Sequence, residues 1–367
     1  MNAAARYDAR IARVAEALRE RGLDALVVSA PVDVRYVTAF TGSNGAALLR
    51  ASGTGNRFFT DFRYRTQSEE QVPAAFEREI VAGELLDALM GEVGDGGGRL
   101  GFDETLTTVA QHRRLAERLP PGWELADAAS VLAKLRRVKD AGEVESLRAA
   151  CSLADEALSA TLERGLAGRT ERAIAVELEQ HMRVLGASGP SFPPIVACGA
   201  HGALPHAEPR DVEIPRDVLV TIDWGCVLDG YCSDCTRTYA TGEAISARAR
   251  EVYELVLAAQ LAGLDAVRAG PSGREVDAVA RAVIEAGGEG EHFGHGLGHG
   301  VGLEIHEPPR LSRTASEDPL LAGDAVTVEP GVYIPGELGV RIEDLVIVRE
   351  GGCDVLTGLS KDLTVVG

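Results

Sequence analysis

The chain has 367 residues, 45% of them hydrophobic, and a formal net charge of -19, so it has the length for two or three domains and a sizeable core. Its sign of charge is wrong for a protein that grips nucleic acid through phosphates, and six cysteines in such a length are no disulfide framework. No signal-peptide pattern opens the chain and no apolar run reaches about 18 residues, so the expectation is a soluble, cytoplasmic protein with neither nucleic acid nor membrane as partner.

Residues 3–21 carry Ile11, Val14, Ala15 and Leu18 at helical spacing, and Gly22 ends that helix. Leu26-Val27-Val28 is a buried strand, and Phe58-Phe59-Thr60 begins another ahead of Asp61-Phe62-Arg63-Tyr64. Strands and helices alternate to about residue 132, the pattern of an α/β domain. The glycine-rich stretch Gly94–Gly98 lacks a following Lys-Ser/Thr pair and is a loop rather than a phosphate cradle. A domain boundary is expected between 132 and 133. Beyond it, Leu147, Cys151, Ala154, Leu158 and Leu162 recur at helical spacing, and Ile174, Leu178, Met182 and Leu185 do so after Thr170. Further helices are expected over 246–267 and 272–286, the latter opened by a Ser272…Glu275 capping box. Strands are expected at 192–198, 218–223, 231–239, 325–329 and 340–348. Residues 133–367 therefore form an α+β domain with an antiparallel sheet flanked by helices, in an order that hints at a duplicated half.

The acidic excess is confined to this second region. Residues 1–137 hold 18 Lys and Arg against 19 Asp and Glu, which leaves 19 against 37 for residues 138–367. Such a half suits metal ions or a substrate with a protonated amine, and it also serves solubility. Asp223 ends an apolar strand, and Asp234 follows on the returning one. His295-Gly-Leu-Gly-His299-Gly alternates glycine with bulkier residues, which lets backbones approach closely. Prolines 308 and 309 hold His306 on a rigid path. Glu329 terminates the strand Val326–Val328. Arg341, Glu343 and Asp344 interrupt an otherwise apolar stretch and must be satisfied, by a buried ion pair with Arg341 or by a metal. One imidazole and four carboxylates suffice for two divalent ions, whose four positive charges would leave the site near neutral. Cys232-Ser-Asp-Cys235 straddles Asp234 and is not read as a thiol site. His112, His181, His201 and His292 are read as surface or structural residues.

In order and spacing, Asp223…Asp234, His295–Gly300, His306-Glu307, Glu329-Pro-Gly and Arg341-Ile-Glu343-Asp344 resemble the "pitta-bread" metallopeptidases. That family includes methionine aminopeptidase, Xaa-Pro aminopeptidase, prolidase and creatinase. The amino-terminal half, in Tyr36–Gly45 and Thr60–Tyr64, is similar to the creatinase/prolidase amino-terminal domain, which methionine aminopeptidases generally lack. The resemblance implies that Asp223, Asp234, His299, Glu329 and Glu343 are metal ligands. It implies that His206, His306 and Glu329 are catalytic, and that His295, Arg310 and Tyr333 line the substrate site. All five ligand positions are intact, which argues against a metal-independent, creatinase-like member and against a non-catalytic peptide-binding module. Oxygen-rich donors with one imidazole favour manganese, with cobalt or zinc as alternatives. Two adjacent metals supply a nucleophile at neutral pH and stabilise an oxyanion. The implied activity is hydrolysis of the bond between an amino-terminal residue and proline in a small peptide, with Xaa-Pro dipeptidase as the alternative specificity. A homodimer is also implied.

Overall fold

In the computed structural model, which describes residues 3–129 and 131–367, the first helix spans Ala3–Glu20. It buries Ile11, Val14, Ala15 and Leu18, the stripe expected from their spacing. Gly22 ends it with φ at 64°, while Leu23 N–H donates back to Leu18 O at 2.9 Å. Left-handed backbone of this kind is a glycine conformation at helix C-termini.

The chain divides into two units, Met1–Arg136 and Arg137–Gly367. The divide falls within the helix Val131–Arg137. The first unit holds one six-stranded mixed sheet. Its strands run, edge to edge, Phe76–Ile80, Asn56–Thr60, Gly45–Arg50, Ala25–Val28, Gly98–Phe102 and Trp123–Asp127. Leu26 lies opposite Leu49 in an antiparallel pair and opposite Gly101 in a parallel one. This is the α/β unit expected.

The second unit contains two helix pairs, each with its own core. Ala141–Leu162 and Glu171–Val184 pack, through Leu158, Ile174, Leu178 and Met182, on a sheet of Ile195–Cys198, Leu219–Trp224 and Cys235–Ala240. Ala247–Ala266 and Gly273–Ala286 pack, through Val256, Ala280 and Ile284, on strands that include Ala325–Val328 and Asp344–Arg349. The capping box at Ser272 and Glu275 is present in both directions. Leu185 departs from the expected apolar stripe: it lies past the helix end and is 37% exposed.

The strands of this unit pair antiparallel, with a single parallel bridge from Ala240 to Val365 among the described residues, and they form several small sheets rather than one. The strand expected at 231–239 is interrupted, giving Tyr231–Cys232 and Cys235–Ala240; that expected at 340–348 gives Leu338–Arg341 and Asp344–Arg349. The breaks fall on Asp234 and Glu343. Among the described residues no helix is long and apolar enough to cross a membrane.

Candidate metal centre

Each acidic candidate sits where a strand ends or changes sheet. Asp223 lies near the end of Leu219–Trp224, opposite Thr236. Asp234 and Glu343 occupy the two interruptions, and Glu329 lies between Ala325–Val328 and Gly331–Ile334. A residue released from the ladder can turn its side chain out of the strict alternation of a strand. His299 is the middle residue of Gly298–Gly300. The flanking glycines permit this packing: a Cβ on Gly298 would lie 2.0 Å from Thr327 O, and one on Gly300 2.4 Å from Pro308 O.

These residues converge. Ligand atoms of Asp234, His299 and Glu343 lie within 4.8 Å of one another. His299 Nε2 is 3.5 Å from Asp234 Oδ2 and 3.4 Å from Glu329 Oε1. Asp223 joins through Arg341, whose Nη2 donates to Asp223 Oδ2 at 2.6 Å. Arg341 Nε donates to Thr236 Oγ1 at 3.0 Å, and Thr236 Oγ1 donates to Glu343 Oε2 at 2.7 Å. The ion pair weighed as one way to satisfy Arg341 thus exists, and its acid is Asp223.

Three features show that the donor set fits divalent cations. Asp223 Oδ1 and Glu343 Oε1 are buried without a hydrogen-bond partner, a costly state for a carboxylate oxygen unless a cation faces it. Burial first, and then the crowding of Glu343, Asp223 and Glu329, pushes the Asp234 carboxyl well above the ordinary range; burial and its acidic neighbours do the same to Glu343. His299 Nδ1 lies 3.0 Å from Gly300 O. A carbonyl only accepts, so Nδ1 carries the proton and Nε2 turns its lone pair to the carboxylates. Burial also lowers the His299 pKa, which keeps that lone pair free.

The remaining candidates surround this cluster. The His306 ring meets the His299 ring edge-on, with centroids 4.3 Å apart. Burial, together with the charges of His299, Arg310 and His206, lowers the His306 pKa, so all four side chains share one neighbourhood. Arg310 stands directly opposite His299 across the strand pair and is exposed. Arg341 Nη1 donates to Tyr333 Oη at 2.8 Å, and Tyr333 Oη lies 2.9 Å from His295 Nε2. His295 Nδ1 lies 2.7 Å from Gly296 O and must donate to it. Tyr333 therefore donates to His295 Nε2, and the row from Arg341 to Gly296 has a single direction.

Two threonines were not anticipated. Thr327 Oγ1 donates to Glu329 Oε1 at 3.1 Å and accepts from His299 N–H at 3.0 Å. Thr236 holds Glu343 as described. Each lies on a strand two residues from a ligand candidate that stands outside the ladder, so sequence proximity to Asp234 and Glu329 was the one signal available for both. His181, His201 and His292 are structural, paired with Thr161, Glu171 and Glu289. Cys232 and Cys235 are buried free thiols on different strands.

Comparison with known proteins places this geometry. Residues 145–350 match the model of metallopeptidase family M24, and residues 10–138 match the creatinase/prolidase N-terminal domain. An Xaa-Pro dipeptidase of Pyrococcus furiosus is 34% identical over 355 residues, which are 96% of this chain and 99% of that protein. Among solved structures, an Xaa-Pro dipeptidase from Bacillus anthracis superposes with a TM-score of 0.93 at 39% identity, covering 98% of this chain and 99% of the other. An X-Pro aminopeptidase from Thermotoga maritima gives 0.88 at 35% identity, covering 96% and 100%.

Proposed function

The chain belongs to metallopeptidase family M24, and on that premise we propose that it is an Xaa-Pro aminopeptidase, releasing the residue that precedes proline at a peptide's amino terminus. One observation carries the proposal: Asp234, His299 and Glu343 bring ligand atoms within 4.8 Å of one another, Glu329 lies against His299, and Asp223 and Glu343 each keep a buried oxygen without a partner, all near the exposed His206 and His306. Asp223, Asp234, His299, Glu329 and Glu343 would hold two divalent ions, manganese being favoured by the oxygen-rich donors. When bound, the ions supply water ionised at neutral pH and charge to oppose a developing oxyanion.

The protein's own groups do the rest. Glu329, its side chain 17% exposed, takes a proton from the attacking water and returns it to the departing proline nitrogen, while Thr327 holds its Oε1. His306 and His206 donate hydrogen bonds to the scissile carbonyl oxygen as charge grows there. His295 and Tyr333, locked by their row of hydrogen bonds, form one wall, and the acidic cluster receives the substrate ammonium. An Xaa-Pro bond has no N–H, so recognition rests on the ring and the amino terminus.

A second reading, Xaa-Pro dipeptidase, is favoured by Arg310. Among the described residues no carboxylate pairs with its exposed guanidinium, which therefore remains available for the free carboxylate of a dipeptide. Rates on Ala-Pro, Ala-Pro-Ala, Ala-Ala-Ala and acetylated Ala-Pro-Ala with manganese decide. Cleavage of Ala-Pro-Ala but not Ala-Ala-Ala is expected. Cleavage of Ala-Pro alone moves the assignment to dipeptidase, and equal rates on Ala-Ala-Ala end the prolyl reading.

The proposal includes a cytoplasmic location, supported by six unpaired cysteines. It also includes a homodimer formed through the amino-terminal unit, supported by the near balance of charge over residues 1–137. Light scattering tests the dimer, and a concentration-independent monomer rules it out.

A further inference from the structure

Glu171 is one of several buried acids outside the cluster. It opens the helix Glu171–Val184 behind its N-cap Thr170 and has no exposed surface. Its two oxygens accept from five donors. Cys198 N–H donates to Oε1 at 2.9 Å, and Arg210 N–H donates to Oε2 at 3.0 Å. The Arg210 guanidinium grips both oxygens, Nε to Oε2 and Nη2 to Oε1, each at 3.0 Å. His201 Nδ1 donates to Oε2 at 3.0 Å. Burial alone would raise the pKa of this acid, but the Arg210 and backbone donors hold it at about 2, and the helix N-terminus favours the charge as well.

The five donors come from the two ends of one segment, Cys198 to Arg210, and from its first turn. Between them, Pro205 O accepts from Arg341 Nη1 at 3.3 Å. Gly202 packs so closely on Gly339 that a Cβ on Gly339 would lie 1.8 Å from Gly202 O. His206 is the next residue after Pro205, is exposed, and bears on His306. A loop pinned at both ends and in the middle presents one imidazole toward the site. The metal cluster itself makes no use of Glu171.

We propose that Glu171 is a positioning residue: its carboxylate clamps the Cys198–Arg210 loop so that His206 is held toward the scissile bond. The proposal rests on the peptidase reading for what His206 does, but not for the clamp itself. A charged acceptor gripped by a bidentate guanidinium fixes direction as well as distance, and catalytic hydrogen bonds demand placement within about half an ångström.

The test uses the full-length, manganese-loaded protein with Glu171→Gln, and Arg210→Ala as a milder variant because that arginine side chain is 45% exposed. Amide exchange over residues 199–207 should rise at least about tenfold in Glu171→Gln, less in Arg210→Ala, with the strand Leu219–Trp224 and the metal content unchanged. On Ala-Pro-Ala, kcat should fall about tenfold in the wild-type background and less than about twofold in His206→Ala, because the clamp acts through that histidine. Unchanged loop exchange in both variants, or an equal kcat loss without His206, overturns the proposal. If the wild type cleaves no Xaa-Pro peptide, the function fails separately, and the exchange measurement still decides the clamp.

Discussion

Glu343 and Asp344 are sequence neighbours, both buried, and they face opposite fates. Asp344 accepts from Arg237 at 2.8 Å, Thr357 at 2.7 Å, Gln260 at 2.8 Å and Lys361 at 2.6 Å. Burial would raise its pKa, but Arg237 and Lys361 bring it below the ordinary range. Glu343 accepts from Thr236, leaves Oε1 unpartnered and is pushed well above that range. One side of the chain finishes its electrostatics within the protein. The other leaves a buried carboxylate oxygen without a partner, and in the function proposed above a cation completes it. An acid's partners, rather than its burial, separate scaffold from site.

The largest consequence of that difference concerns turnover. Glu343→Ala or Asp234→Ala should abolish cleavage, a loss of about 10⁴-fold or more, since metal-borne stabilisation amounts to several kcal/mol. Melting of the chelated proteins should change little or rise. Wild-type turnover in either variant would break the contrast at once.

Asp344→Ala should do the reverse. It leaves the buried Arg237 without its carboxylate, a loss of about 3–5 kcal/mol in denaturant unfolding, while whatever protein folds still binds metal. A stability change below about 1 kcal/mol would make the pair ornamental.

His306→Ala and His206→Ala should sharpen the contrast from within the site. Each should cost about 10- to 100-fold in kcat with metal retained, because these groups act on the developing charge. If His306→Ala strips the metal, its assignment outside the ligand set is wrong.

The smallest effect is on pH. In chelated protein the raised carboxyls of Asp234 and Glu343 favour the protonated form, so their contribution to stability is present below the ordinary carboxylate range and is lost as pH rises. The stability of chelated Glu343→Gln relative to chelated wild type should therefore increase with pH. A gap that stays flat or narrows with pH contradicts the crowding.

The stripe through Leu18 was legible in the sequence by its period, and motif and context singled out Asp223, Asp234, His299, Glu329 and Glu343, which the fold brings into one neighbourhood. The two strand interruptions were not legible. Cys232–Cys235 and Val340–Val348 look continuous because apolar residues flank the acids, and only the folded ladder shows Asp234 and Glu343 leaving it. Glu171 was hidden for a related reason: an acid in the first turn of a helix is ordinary. Its partners lie 27 to 39 residues away, beyond any local pattern. Leu185 was misplaced because periodicity does not mark the residue at which a helix stops.

The most direct measurement is the metal stoichiometry of the purified chain after equilibrium dialysis against Mn²⁺, set beside Glu343→Ala and Asp344→Asn. Two ions per chain in the wild type and in Asp344→Asn, and fewer in Glu343→Ala, is the predicted result. No bound ion in the wild type at saturating Mn²⁺, Co²⁺ or Zn²⁺ would contradict the account.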